Sequence, residues 1–442
     1  MTYLNTIFAD NTGSDNIVSG NTGTGAGAEA ISLGYNISDD QSGNLTAAGD
    51  LDGVDPMLGP LGLYGGTTPV HPLMPSSPAL DAGLVGYRQA VGSTLFSFLY
   101  PMNDDVETNP VVDNSQFAST YADGLAMGDV TRADGAPING ETHNAIRFNG
   151  NDAYVSIPYH PNLNPTNFTI EAWAKVEGGD GTYRTLIMSR SNGAAEDAAG
   201  FNIYAASNNR WEFWTGNGAE TTGTGGEWDV LQGPAIVNNE WTHLVATFQY
   251  ESTSANGVLV GTKSLYVNGE LVAAGSGRHY VPNTTAPLYF GAGGTESNEA
   301  ALFFNGVIDE VGIDSSALTA AHVKRHFVAA AKIDNDPRGF PRDAASPDVG
   351  AFQGTIDMIG VNFVGGRDGF AGSAIAGVAG VTPQANGNNV ADNAASASGA
   401  AKTGSHADLI DARGQTTATD ISWVANNTYT VSTLTPPMRT AN

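Results

Sequence analysis

Residues 239–250 read NEWTHLVATFQY and residues 263–275 read KSLYVNGELVAAG, and these two stretches decide the fold. Apolar and polar residues alternate along both, the period of a half-buried strand. Asn268-Gly269 sits in the middle of the second, a dipeptide that suits the type I′ turn of a tight hairpin. The pattern repeats outward in both directions. Upstream lie GFNIYAASNNRWEFWTG (200–216), TLIMSRS (185–191), NFTIEAWAKVE (167–177) and AIRFNGNDAYVSIP (145–158), the last folding around a turn at Asn149 to Asp152. Phe168, Ile170, Ala172 and Ala174 fall on one face of their strand. Downstream lie PLYFGAG (287–293) and FFNGVIDEVGIDSSALTAAHVKRHF (303–327). Many short strands with regular turn signals predict an all-β protein built on an antiparallel sandwich.

The ordered set FNGNDAYVSIP, FTIEAWAKV, WTHLVATF, LYVNGELV, LYFGAG and FNGVIDEVGI…ALTAAHV resembles the laminin-G/pentraxin, concanavalin A-like jelly roll over about residues 95–327. The resemblance implies two antiparallel sheets of six or seven strands packed face to face, one of them concave, in a domain at 90–330. It also implies a calcium ion near the sheet edge, at Asp309 and the Asn151–Asp152 turn. Calcium takes six to eight oxygen ligands. Glu310 and the Asp104–Asp105 pair are further candidates beside Asp309 and Asp152. The alternative is that Asp309 and Glu310 hold strand and turn geometry by hydrogen bonds.

The flanks differ in texture. Residues 1–83 show very short strands broken by Asn, Asp and Gly, the spacing of solenoid rungs. GVDPMLGPL and GGTTPVHPLMPSSPALDAG resemble the C-terminal segment of choice-of-anchor parallel β-helix proteins. In that family a further motif follows at once. Here it comes only after a gap, as DNDPRGFPRDAASPDVGAFQ (334–353), with Gln353 in place of the acid. The expected organisation is therefore a β-helix end and cap at 1–83, an inserted sandwich, and a continuation of the cap at 331–354. Residues 355–442 read as a Gly/Ala-rich, incomplete β region. MTYLNTIFADN has no basic n-region and no apolar h-region. An export signal is thus expected outside these residues, and the chain is expected to be cut at both ends.

Composition narrows the function classes. The 442 residues carry a formal net charge of −27 and 14% charged residues, against about 25% in an average protein. Such a surface repels nucleic acid and anionic lipid. There is no cysteine, so neither disulfide nor thiolate metal site is available. No stretch approaches the roughly 20 apolar residues of a membrane helix.

Catalytic patterns fail. The Glu-led acidic motif of concanavalin-fold glucanases is missing, and retaining glycosidases need two carboxylates about 5 Å apart. There is no GxSxG elbow. HVKRH places His322 and His326 one helical turn apart but lacks the zinc-protease Glu, and a surface helix face explains it. GDLDGVDP lacks the last acid of an EF-hand loop. Sugar binding needs exposed aromatic rings beside polar groups. Trp211 and Trp214 are three apart on one strand and so point to opposite faces, one core and one exposed. Trp214 and Trp228 are the candidate ligand contacts, with burial as the alternative for each. Trp173, Trp241 and His243 read as structural. The expectation is a non-catalytic, secreted or cell-surface module that binds a glycan or a cell-surface protein, with calcium as its implied cofactor. A ligand-free spacer, and an accessory domain of a β-helix polysaccharide-degrading enzyme, remain open alternatives.

Overall fold

The computed structural model describes residues 2–354, apart from 12–14, 18–30, 44, 93–95, 114–121, 139–143, 192–197, 219–227, 296–297, 299, 332–334 and 344. Beyond 354 it describes 361–364, 388–391, 402–409, 416 and 420–425. The long Gly/Ala-rich run expected after 372 lies almost wholly outside the described residues.

The first strands are very short: β1 (Thr2–Tyr3), β2 (Ile7–Phe8), β3 (Ile31–Ser32), β4 (Ile37–Ser38) and β5 (Leu51–Asp52). They pair in parallel. Thr2 stands opposite Ile31, and Ile7 opposite Ile37, which in turn stands opposite Leu51. Helix α1 (Tyr87–Gly92) follows.

The sandwich then runs from β6 (Phe98–Tyr100) through β7 (Val111–Val112), β8 (Gly124–Met127), β9 (Thr131–Asp134), β10 (Asn144–Asn149), β11 (Tyr154–Ile157) and β12 (Phe168–Val176). It continues with β13 (Arg184–Arg190), β14 (Gly200–Ala205), β15 (Arg210–Gly216), β16 (Trp228–Ala235) and β17 (Trp241–Thr253). It ends with β18 (Leu259–Val267), β19 (Glu270–Tyr280), β20 (Leu288–Phe290) and β21 (Asn305–Asp314), followed by helix α2 (Ala320–Ala330). Past 354 come two described pairs. β22 (Val361–Val364) runs parallel to β23 (Asn388–Ala391), and β24 (Lys402–His406) antiparallel to β25 (Ile421–Ala425).

Two eight-stranded antiparallel sheets result. The first has the order β19-β18-β17-β12-β21-β10-β9, with β6 also pairing with β21, and the second β16-β15-β14-β13-β20-β11-β8-β7. Each sheet is larger than the six or seven strands the resemblance implied. The alternation along the strands explains the packing. Phe168, Ile170, Ala172, Ala174 and Val176 of β12 all point between the sheets, into a cluster that also takes Phe201, Ile203, Phe213 and Leu231 from the second sheet. Phe168 is its hub, with ring centroids 5.0–6.1 Å from Phe201, Phe213, Phe248 and Tyr280. Burying one such ring contributes about 1.5–3 kcal/mol. The β18–β19 hairpin turns on Asn268 (φ 52°) and Gly269 (φ 75°). These are the two positive φ values of a type I′ turn.

The segments on either side of the sandwich meet. The Gly83 N–H donates to the Pro347 carbonyl, the Val349 N–H to the Ala79 carbonyl, and the Gly350 N–H to the Asn5 carbonyl. Ile37, Val70, Leu73, Ala79, Val349 and Phe352 form one small buried cluster there. No helix among the described residues is long and apolar enough to cross a membrane.

Candidate functional site

The two outer faces of the sandwich have different fates. On the first sheet, the odd residues of β12 (Thr169, Glu171, Trp173) point away from the inter-sheet core, yet they are buried because α1 and α2 lie over them. Glu171 is at the centre. Its Oε1 accepts from the Tyr87 hydroxyl (2.7 Å) and faces His243 Nε2 (2.9 Å), and its Oε2 faces His326 Nδ1 (2.8 Å). Burial alone would raise the Glu171 carboxyl, but the two histidines and their hydrogen bonds bring it well below the usual carboxylate range. Phe327 stacks on Trp173 and His243 at 6.1 and 5.9 Å. His243 is the structural residue expected. His326 is not on a surface face as HVKRH suggested. It is fully buried against the sheet, because α2 folds back over β12 and β17.

The three metal candidates divide between this covered face and a distant turn. Asp309 is fully buried. Its Oδ2 accepts from the Ala136 N–H (2.8 Å) and its Oδ1 from the Glu310 N–H (2.9 Å). Glu310 sits at a β-bulge with φ 48°, and its carboxylate is paired with Arg88 of α1. Asp152 lies in the exposed turn at the far end. There Asn149 Nδ2 donates to it (2.7 Å), and Asn149 Oδ1 accepts from the N–H groups of Asn151, Asp152 and Ala153. Asn149 pairs with Asn305, four residues before Asp309 on β21. At about 3.3 Å per residue this separates the two sites by roughly 13 Å. Asp105 faces Arg132 at 3.8 Å, and burial and Asp113 raise Asp104 to about 6. Among the described residues no group of three His, Cys, Asp or Glu could hold a metal ion. Asp309, Glu310 and Asp152 therefore do not fit one calcium site. The Asp309 oxygens serve the backbone, Glu310 Oε1 pairs with Arg88 and Asp152 Oδ1 takes the Asn149 amide, which for Asp309 and Glu310 is the alternative kept open.

The second sheet carries its outer face differently. Trp211 points into the core (1% exposed), and Trp214, on the opposite side of β15, is half-buried. Register brings partners to it. Trp214 stands between Asn202 of β14 and Val230 of β16. Its ring lies 5.4 Å from Tyr204, 5.9 Å from Tyr183 and 6.1 Å from Trp228, mostly edge to face. Trp228 is half-buried, and the Arg190 guanidinium lies over its ring at 5.1 Å. The two tryptophans singled out from the sequence are thus neighbours. Glu212 is the carboxylate of the patch, and three donors hold it: Trp214 Nε1 (2.9 Å), Gln232 Nε2 (3.0 Å) and Asn208 Nδ2 (3.3 Å).

Asn202 is the anomaly here. It is fully buried, and neither its Oδ1 nor its Nδ2 has a hydrogen-bond partner among the described residues. A buried, unsatisfied amide costs about 1–3 kcal/mol. At the other end of the same face, Val111, Leu125, Met127, Tyr154, Ser156 and Pro158 line an open trough of about 570 Å³, with Leu125 and Met127 exposed. The sequence did not single out Tyr183, Tyr204 or Asn202.

One buried cation lies between the sheets. Lys263 Nζ donates to the carbonyls of Asp229 (2.6 Å) and Phe213 (3.3 Å) and lies 4.5 Å over the Phe213 ring. Burial pushes its ammonium down to about 7 against the pull of Asp229.

Residues 149–324 match the family model described as the concanavalin A-like lectin/glucanases superfamily. No curated protein matches the chain. Among solved structures, the receptor-binding domain of botulinum neurotoxin type G is 15% identical over 56% of this chain and 54% of that one, with a TM-score of 0.36. Domain 4 of an extracellular arabinanase from Geobacillus stearothermophilus, solved with arabinotriose, is 19% identical over 53% and 98%, with a TM-score of 0.36. The binding domain of Paraclostridial mosquitocidal protein 1 is 16% identical over 56% and 55%, with a TM-score of 0.38. The chain spans about half the length of the toxin binding domains it matches. These structural likenesses are loose, and it is the family match that places the sandwich: over residues 149–324 it is similar to the concanavalin A-like lectin/glucanases superfamily.

Proposed function

We propose that the sandwich is a non-catalytic carbohydrate-binding module whose ligand face is the outer side of the second sheet. The observation that carries this is the Tyr183–Tyr204–Trp214–Trp228 cluster, two of its rings half-buried tryptophans, with Arg190, Glu212 and Gln232 beside it. Pyranose C–H faces pack on such rings, and amides, carboxylates and guanidinium groups take the hydroxyls. Glu212 is held by three donors and is suited to positioning rather than proton transfer. Binding does not call for calcium, since the proposed ligand face shares no residue with Asp309, Glu310 or Asp152.

The setting belongs to the same proposal. The parallel stacking of Thr2 on Ile31, and of Ile7, Ile37 and Leu51, supports the end of a parallel β-helix at 1–83. The contacts of 79–83 with 347–349 support a cap interrupted by the sandwich. Such a stalk, on a chain with a net charge of −27, suits display outside the cell. A protein partner is a second reading, favoured by exposed Leu125 and Met127 around the apolar trough.

The test is a glycan array probed with the whole chain, in calcium and again in EDTA. Selective binding that survives EDTA is expected. Binding abolished by EDTA would contradict the metal-free mechanism. A folded sample that binds no glycan would contradict the carbohydrate reading.

A further inference from the structure

Resting on that reading, we infer that Asn202 is the specificity-determining contact of the ligand face, and that the ligand is a neutral sugar presenting two adjacent hydroxyls. Asn202 lies on the outer side of β14, with Met188 opposite on one flank and Trp214 opposite on the other. One row along, Arg190 stands opposite Gly200 and Gly216 opposite Trp228. Gly200 and Gly216 end the β14–β15 pairing with the Val281 backbone between them: the Gly200 N–H donates to the Val281 carbonyl (2.7 Å) and the Val281 N–H to the Gly216 carbonyl (2.8 Å). Arg190 and Trp228 meet beside this row as a cation–π pair at 5.1 Å. Backbone also crowds in there: a Cβ on Gly216 would lie 2.1 Å from the Ala198 carbonyl oxygen. Asn202 is thus buried on the outer side of the sheet among Met188, Tyr204 and Trp214, next to the Arg190–Trp228 pair.

An amide there has one purpose that a Leu would not serve. Folding alone favours an apolar residue at a buried, unpaired position on a sheet, so the polar group is retained against stability. A primary amide offers an acceptor and donors side by side, the complement of vicinal hydroxyls, one donating to Oδ1 and the next accepting from Nδ2. The rings around it supply the stacking surface. Neutrality is argued from the charges present: Glu212 beside the cluster offsets Arg190, and the chain as a whole carries −27, which repels an acidic sugar. Reaching the amide requires Arg190 and Trp228 to part. Arg190 also donates from Nη1 to the Gly294 carbonyl (3.0 Å), so parting the pair breaks that hydrogen bond as well as the cation–π contact.

The experiment compares wild type, Asn202→Leu and Trp214→Ala of the whole chain on an array of neutral oligosaccharides and their sialylated and uronic-acid counterparts, with thermal melting of each variant. Asn202→Leu is expected to lose at least tenfold in affinity for the neutral sugar that wild type binds, while melting at the same or a higher temperature. In parallel, deoxy forms of that sugar lacking one of two adjacent hydroxyls should bind wild type at least tenfold more weakly, a result that needs no variant to fold. Trp214→Ala binding lost but Asn202→Leu binding intact would overturn this inference and leave the sugar-binding proposal standing. Selection of acidic over neutral sugars would overturn the neutral-ligand assignment. No binding by folded wild type would remove the proposal itself and this inference with it.

Discussion

Both outer faces of the sandwich carry aromatic rings and buried polar groups, but one is roofed by helices and the other keeps two half-buried tryptophans. On the first sheet, Trp173, His243 and Glu171 are roofed by α1 and α2, and the carboxylate has three partners. On the second sheet, Trp214 and Trp228 remain half-buried, and the Asn202 amide has none among the described residues. Beneath the helices Glu171 is fully partnered, while Trp173 Nε1 and His243 Nδ1 have no hydrogen-bond partner among the described residues. What sets the second face apart is the half-buried Trp214–Trp228 pair, the rings of Tyr183 and Tyr204 beside it, and both atoms of one amide left unmet. The residues the sequence offered for a metal belong to the roofed side or to a remote turn, and those it offered for a ligand belong to the other.

The largest effect expected comes from breaking the roofed face. Glu171→Ala leaves Tyr87, His243 and His326 without their shared acceptor, and should lower unfolding free energy by about 3–5 kcal/mol in urea titration. If Glu171→Ala were neutral, the network would not hold the helices down. Next, Trp214→Ala should weaken glycan binding about thirtyfold, the roughly 2 kcal/mol of a binding hot spot, read by calorimetry. Its stability should fall as well, by about 1–3 kcal/mol, because the ring packs on Tyr183, Tyr204 and Trp228 and donates to the buried Glu212, so binding is read on the folded fraction. A loss of fold without a specific loss of binding would make Trp214 a core residue instead.

Two pH effects are smaller and opposite in setting. Glu171 is depressed when folded, so the unfolded chain binds its proton first on acidification. The stability it supplies is present above its ordinary value of 4.5 and is lost as pH falls through its lower folded value. Denaturant midpoints should therefore drop below about pH 4.5, and the Glu171→Gln variant should show a flatter acid limb. Lys263 is also depressed, from 10.5 to about 7, so between those values the unfolded chain holds more protons and stability rises with pH. Lys263→Met should stabilise by about 1 kcal/mol near pH 7, with the gain shrinking toward pH 10. Asp229 would keep Arg278 as a partner at 3.1 Å. A Lys263→Met gain that grows with pH would contradict the depressed ammonium.

Much of this was legible from alternation alone. The inward set of β12, the Asn268-Gly269 turn and the opposite facing of Trp211 and Trp214 are all local, period-two facts. What was not legible depends on register between strands distant in sequence. Tyr204 and Trp214 meet because β14 and β15 pair, and Trp228 joins them only through the β15–β16 pairing. His326 was misplaced because its burial depends on α2 docking over a sheet 155 residues away from its partner Glu171. The bulge at Glu310 likewise shows only in the β12–β21 register. Asn202 gave no signal, since an Asn in a strand looks like any polar outward residue until its surroundings are known.

The most direct measurement is hydrogen exchange on the whole chain with and without the sugar that the array selects. Ligand-dependent protection confined to β14, β15 and β16, between Gly200 and Ala235, is the predicted result. Protection centred on Asp309, on the Asn149–Asp152 turn or on α1 and α2 would contradict the assignment of the second sheet as the ligand face.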